Sequence, residues 1–203
     1  GRASQSVKVD DDWRYILNAE GMSSRKEGQS LDEGLYFKAN VGAAYRPKNR
    51  DEWAALMMYT YLHDLPPEQQ LDKGQFKQIA HLFSAEASYR VSPDLRLTTK
   101  YGLKAGKQTL NRTSDEWSDM LVQLGIVRAD IRLNDKFDAL LEGRLMAIQS
   151  PDELRSALLG ALYYRLNDQI KLGGGYVFGS TSNDLINHVR DDQGWFINLV
   201  GAF

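Results

Sequence analysis

The sequence predicts an all-β fold, a closed antiparallel up-and-down transmembrane β-barrel of about ten strands. Apolar and polar residues alternate almost continuously from Trp13 to the last residue, which is the period of a strand with one apolar face. Residues typical of turns separate the alternating segments. The sequence has no apolar run near the ~20 residues of a membrane-spanning helix, whereas a spanning strand needs only ~9 to 11.

Composition narrows the function classes. A chain of 203 residues suits one closed sheet, and 25 Lys plus Arg against 27 Asp plus Glu gives no reason to expect a nucleic acid as partner. Cysteine is absent, so disulfide scaffolds and thiolate metal sites are excluded. Nothing in the sequence implies a cofactor or a bound metal.

The barrel is predicted to occupy residues 13–203, after a polar lead-in over residues 1–12. Each predicted strand has one apolar face. The predicted strands cover approximately residues 13–23, 35–46, 53–63, 76–91, 95–106, 119–133, 137–148, 154–166, 170–179 and 195–203.

The predicted connections alternate in length. Tight turns carrying Asn, Asp or Pro are predicted at 47–52, 92–94, 134–136 and 167–169. Longer polar loops are predicted at 26–34, 64–75, 109–117, 149–153 and 181–194. Such an alternation places the short turns at one edge of a barrel and the long loops at the other.

Periodicity alone does not say which face meets water, because a soluble sandwich or lipocalin-like barrel would turn the apolar face inward. The apolar face carries more large side chains than a small interior accepts, which favours lipid outside. Two aromatic girdles are predicted: Trp13, Tyr45, Trp53, Tyr89 and Tyr164 near the short turns, and Trp117 and Trp195 near the long loops.

The opposite face mixes charges of both signs, which can pair inside a narrow lumen. The residues predicted to line this lumen, and a pore if there is one, are Arg14, Glu20, Lys38, Glu86, Arg90, Lys100, Lys104, Arg128, Asp130, Asp138, Glu142, Arg144 and Arg155.

The last nine residues have one wholly apolar face ending on an aromatic residue, with Trp195, Ile197, Leu199 and Phe203 as the predicted assembly signal. This ending resembles the final strand of bacterial outer-membrane β-barrels. The last third is most similar to the C-terminal anchor barrels of large repeat-containing surface proteins. The matching segments are Gly175-Tyr176-Val177-Phe178, Asp184-Leu185, Asp191-Asp192 and Gly194-Trp195-Phe196 through Phe203.

The resemblance implies an integral outer-membrane domain, inserted by the barrel-assembly machinery and surrounded by outer-membrane lipid and lipopolysaccharide. Anchoring would be its main task, with a larger upstream polypeptide or envelope complex as a further partner. The lead-in over residues 1–12 and both termini are expected in the periplasm. The last strand is expected to close the barrel by pairing with the strand near residues 13–23.

The sequence predicts no catalytic residues when it is compared with the known kinds of outer-membrane barrel enzyme. None of the three histidines has the Asp-x-His spacing of omptin-like proteases. His81 lies near Ser84 and Glu86, the residue types of a lipid deacylase, but strand periodicity puts it on the opposite face. His63-Asp64 reads as a chance neighbour pair. His188 with Asp184, Asp191 and Asp192 could bind a divalent cation, although a solvated loop explains these residues more simply.

Two functions therefore remain for the predicted barrel. The first is an anchor or structural envelope protein whose lumen is filled by networks of Arg and Lys with Asp and Glu. The alternative is a narrow, anion-preferring pore or small-solute channel. Its basis is an excess of inner basic residues toward the short turns, namely Arg46, Arg90, Arg96, Arg132, Arg165 and Lys171.

Overall fold

Eleven antiparallel strands form the described part of the protein in a computed structural model. The structure describes residues 1–25, 32–48, 52–66, 77–109, 116–149, 152–167, 169–179, 181, 185 and 193–201. The strands are β1 (Arg2–Lys8), β2 (Trp13–Arg25), β3 (Asp32–Tyr45), β4 (Trp53–Leu65), β5 (Lys77–Ser92), β6 (Leu95–Thr109), β7 (Ser118–Arg132), β8 (Phe137–Gln149), β9 (Asp152–Arg165), β10 (Ile170–Gly179) and β11 (Gly194–Gly201). No helix among these described residues is long and apolar enough to cross a membrane.

The strands form one sheet in sequence order, each hydrogen-bonded to the next. Among the described residues, β1 pairs with β2 alone and β11 with β10 alone, so the sheet is open. The expected closure, with the last strand pairing near residues 13–23, is wrong because β2 lies between β1 and β3. The up-and-down antiparallel order is confirmed.

The eleventh strand comes from a segment that was expected to be a lead-in. Residues Arg2–Lys8 are mostly small and polar, and all seven are exposed, so they show no apolar period. Their backbone nevertheless pairs with β2 along its length, from Arg2 opposite Glu20 to Lys8 opposite Arg14. Backbone hydrogen bonds to β2 stabilise this segment as a strand, and the periodicity of a sequence does not predict such bonds.

An odd number of antiparallel strands gives the two outer strands the same direction. β1 therefore starts at the edge of the longer connections, and β11 ends at the edge of the tight turns. Arg2 and Gly201 lie at opposite edges, which does not agree with the expectation that both ends share one side.

Three tight turns at one edge use the same hydrogen-bonded motif. The Oδ1 of Asn134 accepts hydrogen bonds from the backbone N–H groups of Lys136 (2.9 Å) and Phe137 (3.0 Å). Asn167 does the same at the next turn, and Asp10 does so between β1 and β2. Asn and Asp favour turns because their side chains bond the backbone two or three residues ahead.

The turn between β1 and β2 also holds a local ion pair. Lys8 Nζ donates a hydrogen bond to Asp11 Oδ1 at 2.7 Å, and this bond keeps the pKa of the Asp11 carboxyl below its ordinary value. Both groups are exposed, so the contact contributes little to stability.

The two faces of the sheet differ sharply. The outer face exposes large apolar side chains, among them Trp195 and Ile197 at 85% and 86% of their surface. The inner face carries the charged residues and also a buried apolar cluster. This inner apolar cluster consists of Leu62, Ala80, Leu82, Met120, Val122, Leu124, Ile126, Met146, Ile148 and Leu185.

The expectation of a lumen filled by ionic networks therefore holds for only part of the interior. Strand β7 explains the difference, because apolar residues occupy both faces over residues 120–127 with the exception of Gln123. Met120, Val122, Leu124 and Ile126 point inward and are at most 8% exposed. They lie in the half of β7 that follows the long connection, and the charged residues Arg128, Asp130 and Arg132 lie in the half before the tight turn.

Candidate functional site

The strand register places all thirteen predicted lumen residues on the inner face. Three pairs of opposite charge among them lie directly across neighbouring strands, Glu20 opposite Lys38, Glu86 opposite Lys100 and Arg128 opposite Glu142. Others pair along one strand with the residue two positions away, as Arg155 does with Glu153, where Nη2 and Oε2 are 2.7 Å apart. Four of the thirteen, Arg90, Arg128, Asp130 and Asp138, converge on one cavity.

This cavity, which we call the basic basin, lies on the inner face at the tight-turn edge and has a volume of about 590 Å³. Its walls come from β5 to β11 and the turn between β5 and β6. Its described lining includes six basic residues, Arg90, Arg96, Arg128, Arg132, Arg165 and Lys171, and three acidic residues, Asp94, Asp130 and Asp138. Five of the six residues in the predicted basic excess are thus brought together, and Arg46 is not among the lining residues.

Asp138 is the central carboxylate of the basin. It accepts hydrogen bonds from Arg165 Nε and Nη2, at 3.0 Å and 2.5 Å, and from Lys171 Nζ at 2.5 Å. Arg165 ends β9 and Lys171 is the second residue of β10, so the register of three strands sets this contact. Asp138 has only 14% of its side chain exposed, which makes these charge-assisted bonds stronger than surface ion pairs.

Two more basic side chains in the basin also have carboxylate partners. Arg128 donates from Nε and Nη2 to Asp130, its neighbour on the same face of β7, with the shortest distance 2.6 Å. Arg132 donates from Nη2 to Asp135 in the following turn at 2.8 Å. Pairing neutralises much of the charge of these guanidinium groups.

Arg90 and Arg96 contribute two of the six positive charges that line the basin among the described residues. The two residues are direct register partners on β5 and β6, and within the described part of the chain neither forms an ion pair. Asp130 lies opposite Arg96 on β7, but its carboxylate is bonded to Arg128. Like charges directly opposite each other destabilise a sheet. A bound or passing anion would relieve this repulsion, so the basin is suited to attract small anions.

The other half of the interior is closed by the inner apolar cluster, together with two residues from the connection between β10 and β11. Leu185 is 5% exposed and packs so close to Gly102 that a Cβ at that glycine would be 2.5 Å from the leucine Cδ1. Thr181 is fully buried, and its carbonyl accepts a hydrogen bond from Arg144 Nη1 at 3.1 Å. The sequence gives no signal for these contacts, since the connection reads as a polar loop.

Lys104 is the most buried charged side chain among the described residues of this apolar half. Lys104 is 1% exposed, and its Nζ donates to Gln78 Oε1 at 2.8 Å. The amide of Gln78 lies 3.5 Å from Asp64 Oδ2, so a polar connection runs from β4 to β6. Lys104 was predicted on the inner face, but its burial among apolar residues was not.

The enzyme candidates are separated by the sheet or lie outside the described residues. His81 is on the outer face, where its Nδ1 is 2.7 Å from Tyr59 Oη, and Ser84 and Glu86 are on the inner face. His63 and Asp64 likewise point to opposite faces. His188, Asp184, Asp191 and Asp192 lie outside the described residues.

The predicted interface aromatics form contacts on the outer face. Trp13 packs on Tyr45 with ring centroids 4.9 Å apart, and Trp53 packs on Tyr89 at 4.5 Å. Tyr164 contacts Phe137 at this same edge. Trp195 contacts Tyr176 near the opposite edge, and Trp117 directly precedes β7 there.

The predicted assembly signal is described in part. Trp195, Ile197 and Leu199 share the outer face of β11 and are among the most exposed apolar residues of the protein. Phe203 lies outside the described residues. Whether these side chains direct assembly stays a prediction.

No family model and no curated protein matches the sequence. Solved structures do match: the outer-membrane channel DcaP of Acinetobacter baumannii has a TM-score of 0.66 at 11% identity over 99% of this chain. An anion-selective porin from Comamonas acidovorans has a TM-score of 0.65 at 13% identity over 99% of this chain. The NanC porin has a TM-score of 0.57 at 12% identity over the whole chain.

The fold is porin-like. The chain spans 62% of the length of DcaP and 55% of the Comamonas porin, but 92% of NanC. Identities this low show a shared fold only. The narrower resemblance to anchor barrels of repeat-containing proteins is not confirmed by these structures.

Proposed function

We propose that this protein is a bacterial outer-membrane β-barrel of the porin type, whose interior attracts small anionic solutes. The observation that carries the anion preference is the basic basin, where Arg90 and Arg96 form no ion pair with any described carboxylate. The neighbours in known structures are channels and porins, which supports a non-enzymatic role.

The outer face supports insertion into a membrane. Its strands expose large apolar side chains over their length, including Leu145 at 58%, Leu158 at 55% and Val127 at 63%. A contiguous apolar surface of this size is unfavourable in water and normal against lipid. The aromatic contacts at both edges are placed as interface girdles would be. In this orientation the tight turns, and with them the basic basin, face the periplasm.

A bilayer also requires that both sheet edges be hydrogen-bonded, because lipid offers no partner to backbone N–H and C=O groups. β1 and β11 run in the same direction, so they cannot form an antiparallel pair with each other. The membrane form therefore needs either a parallel pair between them or an odd number of further antiparallel strands.

A second function, a non-conducting anchor, is favoured by one observation. The inner apolar cluster and Leu185 fill the inner face away from the basin, and a dry apolar layer opposes the passage of ions. Barrels of small diameter are commonly filled by their own side chains. The basin would then be a blind vestibule.

Reconstitution separates these functions. The protein, folded in detergent, is added to a planar bilayer, and insertion into vesicles is followed in parallel by protease protection and heat-modifiable migration on a gel. We expect insertion together with conductance that favours chloride over potassium. Insertion without conductance would establish the anchor instead. A chain that stays monomeric and folded without detergent would overturn the membrane assignment altogether.

A further inference from the structure

Charge is almost absent from the outer face. Among the described strand residues with described side chains, only six outer positions carry a charged residue or histidine. They are His63, Lys77, His81, Lys107, Asp119 and Asp152. All four basic ones lie on the adjacent strands β4, β5 and β6, near the edge of the longer connections. A basic group is costly against lipid tails, so this clustering requires an explanation.

The register brings three of these side chains into one patch. His63 lies opposite Ile79, Ile79 lies opposite Lys107, and His81 lies on the same face one pair further along β5. Neighbouring strands are ~4.8 Å apart, so His63 and Lys107 are separated by about 10 Å. Asp119, opposite Lys107, is the acidic residue of this row. We call His63, His81 and Lys107 the outer basic patch.

Aromatic rings border the outer basic patch and contact His81. The His81 ring lies 5.4 Å from the Tyr61 ring and 6.1 Å from the Tyr59 ring, measured between centroids. Tyr59 Oη and His81 Nδ1 are 2.7 Å apart, so a hydrogen bond fixes the imidazole orientation. Phe37 stacks beside Tyr61 at 6.2 Å. Aromatic and basic residues together are typical of a membrane interface.

The position of the patch along β4 agrees with an interface. Trp53, at the tight-turn edge, and His63 are ten residues apart, which corresponds to about 33 Å of strand. A strand tilt of about 40° converts this length to a depth of about 25 Å, the height of the apolar band of an outer-membrane barrel. The patch therefore lies where lipid headgroups begin in the outer leaflet.

We propose that the outer basic patch binds the phosphorylated headgroup of an outer-leaflet lipid. The inference rests on the proposed membrane function and adds a specific partner to it. Imidazole N–H and ammonium groups donate charge-assisted hydrogen bonds to phosphate oxygens, and the neighbouring rings cover the first carbons of the lipid. Lys77, one register row nearer the edge, extends the positive field over the same headgroup.

The test uses the full chain folded in a phosphate-free glucoside detergent and titrated with diphosphorylated lipid A, with affinity measured by native mass spectrometry. The variant replaces the patch, His63→Gln, His81→Gln and Lys107→Gln. We expect its affinity to fall at least tenfold. The control is Lys38→Gln, which removes one positive charge on the inner face, and its affinity should stay within twofold of the unchanged protein. A further variant, Lys107→Glu, perturbs one site only, so the test survives if the triple variant does not fold.

Three results would overturn the proposal: equal affinity in the patch variants and the unchanged protein, equal affinity for dephosphorylated lipid A, or displacement of the lipid by inorganic phosphate alone. The patch variants are also inserted into vesicles. Normal insertion with unchanged lipid affinity would overturn the headgroup site and leave the proposed function intact. Failure of the unchanged protein to insert would instead overturn the proposed function.

Discussion

The anion preference of the basic basin can be tested by replacing Arg90 and Arg96, two arginines that form no ion pair in the part of the chain that the structure describes. In the double variant Arg90→Gln and Arg96→Gln, the basin keeps its shape and its four other basic residues, three of which are bonded to Asp130 or Asp138. We expect selectivity for chloride over potassium to fall strongly, since the variant removes two positive charges that form no ion pair within the described residues.

The size of the effect follows from the dimensions of the basin. A sphere of 590 Å³ has a radius of about 5 Å, so an anion at its centre lies about 7 Å from a guanidinium at the wall. In a water-filled basin each such charge contributes about 0.6 kcal/mol, and two contribute about 1.2 kcal/mol. This energy corresponds to a local anion concentration about sevenfold higher.

Salt provides an internal check. At 0.01 M the screening length is about 30 Å, and most of the predicted effect persists. At 1 M it is about 3 Å, and the selectivity of the unchanged protein should nearly disappear.

The assay is the reversal potential of single channels in a planar bilayer under a tenfold salt gradient. The matched control is Arg14→Gln with Lys38→Gln, which removes two positive charges from the inner face outside the basin. The reasoning is refuted if this control shifts the reversal potential as much as the basin variant does. An unchanged reversal potential in the basin variant would refute it equally.

Three further changes test the interior. Asp138→Asn weakens the hydrogen bonds from Arg165 and Lys171, so it should lower the free energy of unfolding by about 1.5–3 kcal/mol, measured by urea titration in micelles. The same change removes a negative charge from the basin and should raise its preference for anions. Lower stability together with a lower anion preference would contradict the basin assignment. Leu185→Ala should lower the free energy of unfolding by about 2–5 kcal/mol in the same titration. Gly102→Val adds a Cβ that contacts the leucine and should lower it by about 1–3 kcal/mol. An unchanged free energy of unfolding in Leu185→Ala would show that the packing of this residue contributes nothing. Lys104→Met leaves Gln78 Oε1 without its donor and should cost about 1–3 kcal/mol, and a stabilised variant would show that the apolar cluster prefers an uncharged side chain there.

Strand β5 shows how far sequence periodicity reaches. Residues 76–91 were predicted as a strand and Lys77–Ser92 form one, with His81 and Phe83 outward and Glu86 inward as expected. The turns at Asn134 and Asn167 were equally readable, because one side chain at a fixed position makes each turn. Local chemistry determined these features.

The predictions that were wrong also have identifiable causes. β1 was missed because Ser4, Gln5 and Ser6 carry no apolar period, and only pairing with β2 makes this segment a strand. Because β1 is an additional strand, the sheet begins at the edge of the longer connections and not at the edge of the tight turns. The loop expected at 149–153 is shorter than predicted, since β8 runs to Gln149 and β9 starts at Asp152. These features depend on partners that lie elsewhere in the chain.

The sequence by itself determined the class of the fold, the two faces of the strands and the basic excess near the tight turns, because each is a matter of local period and composition. Only the tertiary structure decided that Arg90 and Arg96 lie side by side without an ion pair among the described residues, since cross-strand register sets their neighbours and Asp130, opposite Arg96, is bonded to Arg128. It also decided that Leu185 closes against Gly102 and that the outer basic residues share one patch. Such contacts join residues distant in the chain, and a pattern read along one strand does not contain them.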